Sequence, residues 1–245
     1  MLEDKKSFGE ELVRVFTENG MGSLLNGERV EKFTRLTEIM LTENEKYNLT
    51  AITDPDKIIL NHYADCATLA ARIPNGARVI DVGCGAGFPS LPLAILREDL
   101  QILALDSTAK RIAYVDATAK ELGLSGVTAR AMRAEEAARL PELREGFDVA
   151  TARAVAEMRI LCELCLPFVR TGGSLIAMKG KNALAETEAA KKGITALGGA
   201  APEIESITLR GKDEELSHPL ITVNKLRKTP AELPRPYARI LKKPL

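Results

Sequence analysis

One stretch of the chain, residues 78–90 with the sequence RVIDVGCGAGFPS, restricts the fold more than any other. It begins with the apolar, β-branched composition of a short buried strand. Gly83, Gly85 and Gly87 follow at alternate positions, where the backbone can take a positive φ and a ligand can lie against it. Residues 91–96 then form an apolar run typical of a helix. This order of elements predicts the ligand-binding end of a doubly wound α/β sheet.

The spacing of the glycines indicates which ligand is bound. A dinucleotide turn has a third glycine three positions after the second, and here that position is Phe88. Asp81 precedes the turn, and a second strand over residues 101–107 reaches Asp106, which is placed to accept hydrogen bonds from ribose hydroxyls. This combination resembles the S-adenosylmethionine site of class I methyltransferases. The alternative is that the glycines only form a tight turn and that Asp106 caps the next helix.

The rest of the chain supplies the other elements of such a fold. Residues 1–50 contain two amphipathic helical patterns and are expected to form an N-terminal helical extension packed on the core. Residues 51–245 are expected to form a class I (Rossmann-like) methyltransferase domain with a mostly parallel sheet. Further strands are predicted near residues 127–132, 147–151, 174–178, 204–209 and 220–225, and helices near 55–71, 110–122 and 182–197.

Composition limits the class of protein. Of the 245 residues, 45% are apolar and 28% are charged, which is ordinary for a globular protein. No apolar run approaches the ~20 residues of a membrane span, and residues 1–11 are too charged for a signal peptide. We therefore expect a cytoplasmic enzyme with no membrane partner.

The cysteines include one pair that invites a metal or redox hypothesis. Cys162 and Cys165 form a C-x-x-C, but they lie in an apolar, helical stretch without a second pair, and only His62 and His218 could assist them. We predict that there is no metal site and that these cysteines are buried as small apolar side chains.

Positive charge is concentrated at the end of the chain. Residues 225–245 contain seven basic residues and one acidic residue, a net charge of +6, so residues 1–224 carry −6 because the whole chain is neutral. A basic tail on an acidic body favours a polyanion partner, since Lys and Arg supply most non-specific affinity for nucleic acids. A merely solvated tail is the alternative.

The residues after the fourth strand restrict the chemistry. Methylation of an exocyclic amine calls for an Asn/Asp-Pro-Pro-aromatic motif, but the chain has Ala152, Arg153 and Ala154 there. Methylation of pyrimidine C5 needs a cysteine nucleophile, and neither Cys162 nor Cys165 lies in a proline-cysteine turn. Guanine N7 carries a free lone pair and needs no base, so donors that hold O6 or a phosphate suffice. Methylation of guanine N7 is therefore compatible with the residues found here, where Arg153 or Lys179 could act as such donors.

Several segments in the right order resemble one known family. These are NLTAI (48–52), Asp54-Pro55, the segment 62–65, DVGCGAGFPSLPLAI, LDSTAKR, RAEE, ARAV, MKGK and the basic, proline-rich C-terminus. They resemble the RsmG family of bacterial 16S rRNA guanine-N7 methyltransferases, also called glucose-inhibited division protein B. The resemblance runs from about Asn48 to the C-terminus. It implies transfer of a methyl group from S-adenosylmethionine to N7 of guanine 527 in 16S rRNA.

The resemblance also implies roles for particular residues. Arg153 and Lys179 are the expected catalytic residues. The expected cofactor-binding residues are Asp81, Gly83, Gly85, Gly87, Phe88, Asp106, Ser107, Ala134, Glu135 and Arg153. The expected RNA-binding residues are Arg133, Lys179, Lys181, Arg235, Arg239, Lys242 and Lys243. The implied partner is 16S rRNA or the small ribosomal subunit, and the protein is expected to be a monomer.

Other functions remain open at this point. A small-molecule methyltransferase would not need the basic tail for activity. A non-catalytic module that binds S-adenosylmethionine would tolerate replacement of Arg153 and Lys179. A nicotinamide-dependent oxidoreductase fits least, because Phe88 replaces the third glycine.

Overall fold

A seven-stranded sheet forms the centre of the fold in the computed structural model, which describes residue 2 and residues 4–245. The strands are β1 (Arg78–Val82), β2 (Gln101–Asp106), β3 (Val127–Ala131), β4 (Phe147–Arg153), β5 (Val169–Met178), β6 (Glu203–Arg210) and β7 (Glu215–Asn224). Their order is β3-β2-β1-β4-β5-β7-β6. Strands β1 to β5 are parallel, and β7 is antiparallel to both of its neighbours. The predicted mostly parallel sheet is confirmed.

Helices cover both faces of this sheet. They are α1 (Lys5–Glu18), α2 (Gly27–Tyr47), α3 (Pro55–Ile58), α4 (Asp65–Ala67), α5 (Ser90–Leu96), α6 (Ala109–Glu121), α7 (Ala134–Ala137), α8 (Met158–Cys165), α9 (Ala183–Ala196) and α10 (Tyr237–Lys242). Because side chains alternate along a strand, Val79 of β1 packs in one hydrophobic core and Ile80 in the other. The sheet is doubly wound, as predicted. No helix of the described residues is long and apolar enough to cross a membrane.

The strand order reverses at β1, and this reversal sets the position of the site. After β1 the chain adds β2 and β3 on one side and then returns to place β4 on the other. Ile80 is paired with Leu103 of β2 and with Ala150 of β4, so the carboxyl ends of these strands reach the same edge. Ligands of open α/β sheets bind in the crevice outside this edge.

The N-terminal helices share a core with the sheet. Phe8, Phe16, Phe33 and Leu36 from α1 and α2 are buried in the same hydrophobic cluster as β1 and α5 residues. The predicted amphipathic helices are therefore found, and they pack against the rest of the chain. The division of the chain at residue 50 stays a prediction.

The segment that follows differs from the single helix predicted over residues 55–71. Asp54 caps α3 by accepting a hydrogen bond from the Lys57 backbone N–H (3.0 Å). A wider π-helical stretch, Ile59–Ala64, then separates α3 from α4. Such stretches are frequent at functional sites, and the side chains of His62 and Asp65 take part in the site described below.

The C-terminal arm, defined here as residues 226–245, is docked on the protein. Arg144 donates hydrogen bonds to the backbone carbonyls of Thr229, Pro230 and Leu233 at 2.8–2.9 Å. Lys225, which precedes the arm and was counted with the basic tail, is fully buried. The tail is thus held by specific contacts and is not merely solvated.

Candidate active site

The glycine turn after β1 has the backbone geometry that the sequence predicts. Gly83, Gly85 and Gly87 have φ values of +73°, +57° and +86°. A Cβ on Gly83 would lie 2.7 Å from Val155 Cγ2, and one on Gly87 would lie 2.6 Å from Leu91 Cδ1. Alanine would be strained at both positions, so the turn depends on glycine.

A cavity of about 240 Å³ opens beside this turn, at the carboxyl ends of β1 to β4. Five of the predicted cofactor-binding residues line it: Gly83, Asp106, Ser107, Ala134 and Glu135. The other lining residues are Val82, Leu105, Thr108, Arg111, Met132, Arg133, Ala154, Val155, Leu164 and Tyr237. Strands that are far apart in the sequence thus build one cavity where the cofactor is expected, and it is called the cofactor cavity below.

Asp106 connects the end of β2 to the glycine turn. Its carboxylate accepts hydrogen bonds from the backbone N–H groups of Gly85 (3.1 Å) and Thr108 (2.8 Å). A carboxylate has about four acceptor sites, so sites remain for the hydroxyls of a ribose. Asp106 therefore binds backbone N–H groups and keeps acceptor sites that fit a nucleoside. The two interpretations of Asp106, as a cap and as a ribose acceptor, are thus compatible.

Asp81 lies beneath the turn and does not line the cavity. Its Oδ2 accepts a hydrogen bond from the Ser90 backbone N–H (3.1 Å), whereas its buried Oδ1 has no partner. Burial raises the pKa of Asp81 to about 6, against the lowering effect of the Ser90 hydrogen bonds. Asp81 therefore supports the glycine turn through Ser90, and its direct contact with a cofactor stays a prediction.

Other predicted cofactor residues have supporting positions. Gly85 and Gly87 shape the turn without lining the cavity, and Phe88 stacks on His62 with ring centroids 4.4 Å apart. Arg153 faces a second cavity, described below. Their direct contact with a cofactor stays a prediction.

The end of the cofactor cavity beyond β3 contains a contact that sequence reasoning missed. Arg133, predicted to bind RNA, lines this cavity and donates a hydrogen bond from Nε to Glu135 Oε1 (3.1 Å). Its guanidinium carbon lies 4.1 Å from the ring centre of Tyr237 in α10. Tyr237 is about a hundred positions away in the chain, so no local pattern connects it with Arg133.

A second cavity, of about 330 Å³, adjoins the first. Its lining residues are Ile52, Asn61, His62, Asp65, Arg153, Ala154, Met178, Lys179, Gly180, Leu216 and His218. Ala154 lines both cavities and has a φ of +55°. The walls of the two cavities therefore share one small residue.

Arg153 is held at the wall of the second cavity from several sides. Its Nη1 donates to the Asn61 carbonyl (2.8 Å) and to Asp65 Oδ2 (3.2 Å), and its Nη2 donates to His62 Nδ1 (3.0 Å). The guanidinium also lies over the ring of Phe88. Of the five N–H groups of an arginine, the Nε–H and one on Nη2 remain free.

The pKa values of the two histidines of the second cavity shift in opposite directions. Burial, aided by the positive charge of Arg153, lowers the pKa of His62 to about 4, so this ring is neutral near pH 7. For His218, burial lowers the pKa, but the hydrogen bond to Asp65 and its negative charge outweigh burial and raise it. His218 Nε2 lies 2.6 Å from Asp65 Oδ1.

His62, Asp65 and His218 are not among the site residues that the sequence analysis predicts. Both His62 and Asp65 line the second cavity. The available signal was their three-residue spacing, which places both on one face of a helix. His218 comes from β7, more than 150 residues later, so it had no such signal.

Lys179 follows β5 and anchors the loop after β4. Its Nζ donates to the Ala156 carbonyl and to Glu186 Oε2, both at 2.7 Å. An ammonium has three donors, so one remains for a ligand in the second cavity.

The predicted RNA-binding residues fall into different environments. Lys181, Arg239, Lys242 and Lys243 are exposed. Arg235 instead donates from Nε (2.8 Å) and Nη2 (2.5 Å) to the fully buried carboxylate of Glu163. This ion pair holds the arm, and it occupies the guanidinium that was expected to contact RNA.

The cysteines are buried, as predicted. None of them lines either cavity, and burial raises the pKa of all four thiols, Cys66, Cys84, Cys162 and Cys165. Among residue 2 and residues 4–245, no group of three or more His, Cys, Asp or Glu side chains is placed to hold a metal ion.

The sheet order and the cavity at the ends of β1 to β4 define a class I methyltransferase fold. Solved structures with this fold include the tRNA (m1A58) methyltransferase of Aquifex aeolicus, with a TM-score of 0.54 at 17% identity over 79% of this chain and 76% of that one. An O-methyltransferase of Bacillus cereus in complex with SAH has a TM-score of 0.54 at 16% identity over 78% and 91%. The model of the family described as rRNA small subunit methyltransferase G matches residues 29–216. The chain belongs to this family.

Curated relatives agree over almost the whole length. The ribosomal RNA small subunit methyltransferase G of Clostridium perfringens strain 13 is 42% identical over 229 residues, which cover 93% of this chain and 95% of the relative. The protein of the same name from Desulfitobacterium hafniense strain Y51 is 39% identical over 236 residues, or 96% and 98%. The family expected from the motifs is confirmed.

Proposed function

We propose that this protein transfers the methyl group of S-adenosylmethionine to N7 of a guanine in 16S rRNA, guanine 527 by family resemblance. The observation that carries the proposal is the meeting of two cavities at Ala154. One cavity fits a nucleoside cofactor, and the other presents cationic donors and has no cysteine, serine or threonine among its lining residues. The family and its curated relatives support rRNA as the substrate class.

The chemistry requires positioning more than proton transfer. S-adenosylmethionine supplies an electrophilic methyl group, whose bond to sulfur breaks as the N7–carbon bond forms. The N7 lone pair attacks directly and N7 carries no proton, so no general base is needed. The reaction would require the protein to place N7 about 3–3.5 Å from the methyl carbon and in line with the C–S bond.

Arg153 and Lys179 are the proposed catalytic residues. The free Nε–H and Nη2–H of Arg153 are available to guanine O6, and the third donor of Lys179 is available to O6 or a phosphate. Donors at O6 fix the orientation of the base, and N7 is adjacent to O6 on the same edge. The proposed cofactor contacts are made by Asp106, Glu135 and the turn at Gly83.

The exposed cations are proposed to bind the RNA backbone. Lys181 lies just beyond the second cavity in sequence, and Arg239, Lys242 and Lys243 are carried by the docked arm. We propose that they contact phosphates of 16S rRNA or of the small subunit. We also propose that the protein acts in the cytoplasm as a monomer.

The test is transfer of labelled methyl groups to unmodified 16S rRNA, both free and in small subunits, followed by nucleoside mass analysis. The expected product is 7-methylguanosine at one site, and Arg153→Ala is expected to lower kcat/KM by 10²-fold or more. Cofactor binding without label in either RNA would refute the proposal. It would favour a small-molecule methyltransferase or a binding module instead.

A further inference from the structure

The second cavity contains an acceptor that the proposed reaction does not use. Asp65 is 6% exposed and lines this cavity, but not the cofactor cavity. Oδ1 accepts from His218 and Oδ2 accepts from Arg153. Each carboxylate oxygen accepts about two hydrogen bonds, so one site on each oxygen is left. Two adjacent acceptor sites therefore remain on this buried carboxylate.

His218 holds this carboxylate but has no donor left for a ligand. Its Nε2 donates to Asp65 Oδ1, and its Nδ1 lies 3.3 Å from the carbonyl oxygen of Pro219. The cationic Arg153 binds the other oxygen (3.2 Å). These two contacts, one on each oxygen, fix the orientation of the Asp65 carboxylate.

Guanine matches this pairing of acceptors and donors. Its Watson–Crick edge presents two adjacent donors, N1–H and the N2 amino group, beside the acceptor O6, and the acceptor N7 lies beyond O6 on the Hoogsteen edge. Adenine and cytosine present an acceptor in place of N1–H, and uracil has a single donor. A carboxylate that faces the Watson–Crick edge therefore selects guanine.

We propose that Asp65 recognises the target guanine by accepting hydrogen bonds from N1–H and the N2 amino group, with His218 as the residue that positions Asp65. This inference rests on the proposed function. With Arg153 at O6, the base then presents its N7 edge toward Ala154, the residue shared with the cofactor cavity. The ring of His62, stacked on Phe88 at an angle of 19°, offers a flat wall for the base.

The test replaces the target guanosine with inosine, which lacks only the N2 amino group. Small subunits reconstituted with ligated 16S rRNA carry either guanosine or inosine at that position. The wild-type protein is expected to prefer guanosine by about tenfold or more in kcat/KM, the effect of one lost charge-assisted hydrogen bond. Asp65→Asn is expected to lower kcat/KM for guanosine and to bring this preference close to one.

Two further measurements distinguish recognition of the guanine by Asp65 from a purely structural role of Asp65. The affinity of Asp65→Asn for S-adenosylmethionine is expected to equal that of wild type, because Asp65 lies outside the cofactor cavity. His218→Gln, which retains a donor, is expected to keep more of the guanosine preference than His218→Phe. If the Asn variant does not fold, the wild-type preference and the two His218 variants still decide the question.

The alternative outcomes are distinct. A wild-type protein that methylates guanosine and inosine equally well overturns the inference. So does an Asp65→Asn variant that slows both substrates by the same factor, because Asp65 would then only hold Arg153. The absence of methylation of any RNA would instead refute the proposed function.

Discussion

The ion pair between Arg235 and Glu163 provides a direct test of the role of the C-terminal arm. Glu163 is fully buried, and Arg235 reaches it with two side-chain hydrogen bonds and one from its backbone N–H. Arg235→Ala removes the two side-chain bonds and leaves a buried carboxylate without a cation. Loss of one partner of a buried pair costs about 3–5 kcal/mol.

This loss is measurable as a change in thermal stability. For a chain of this size, about 1 kcal/mol corresponds to a shift of roughly 2–4 °C, so Arg235→Ala should lower Tm by about 10 °C. Release of the arm also withdraws Tyr237 from the cofactor cavity, so the affinity for S-adenosylmethionine is expected to fall. Differential scanning calorimetry and isothermal titration calorimetry measure the two effects.

Arg239→Ala is the matched control, because Arg239 is an exposed arginine on the same arm. It is expected to change Tm by little, since surface substitutions alter stability within about 0.5 kcal/mol. If it contacts an RNA phosphate, it should reduce the salt dependence of RNA affinity by about one charge. An unchanged Tm in Arg235→Ala, together with a reduced salt dependence, would refute our interpretation and restore Arg235 as an RNA contact.

Three further predictions concern the two cavities. Asp106→Ala should weaken S-adenosylmethionine binding by about tenfold to a hundredfold through the lost ribose hydrogen bonds, and an unchanged Kd in calorimetry would contradict its role. Gly83→Ala should lower both Tm and cofactor affinity, because its Cβ would lie 2.7 Å from Val155 at a φ of +73°, whereas wild-type behaviour would show that the turn adapts. In an NMR titration, His62 should stay neutral down to about pH 4, and His218 should take up its proton above the usual histidine pKa. The stability that depends on neutral His62 is therefore lost as pH falls below the pKa of about 6.5 in the unfolded chain. If His62 took up its proton at a higher pH than His218, the assignment of the lowered pKa to His62 and the raised pKa to His218 would be wrong.

Local sequence signals predicted much of the sheet and of the cofactor cavity. The glycine turn was recognisable because its three glycines, which take positive φ values, alternate in the sequence. Asp106, which lines the cofactor cavity, was recognisable because it ends a strand-like run of residues. Strands β5 and β7 each begin five residues earlier than predicted, because their first halves, VRTGG and ELSHP, lack an apolar pattern. Such boundaries depend on pairing between strands, which a local pattern does not report.

The second cavity was much less accessible to sequence reasoning. Asp65 and His218 meet only because antiparallel β7 inserts between β5 and β6 and brings its residues beside the π-helical stretch. Tyr237 reaches the cofactor cavity through an arm whose path is set by hydrogen bonds from Arg139 and Arg144 to backbone carbonyls. These placements are tertiary, so composition and charge identified the arm as basic without revealing that it is docked.

The two cavities meet at Ala154 but are built largely from different segments. Evolution can therefore change the second cavity and leave the cofactor cavity unchanged. The cofactor cavity draws on the ends of β1 to β4 and on α10, whereas most of the second cavity comes from residues 52–65, 178–180 and 216–218. Substitutions in these three short segments can alter the target without touching the groups proposed to hold the cofactor. A chimera that carries the three segments from a relative with another target is therefore expected to inherit that target and to keep its own cofactor affinity.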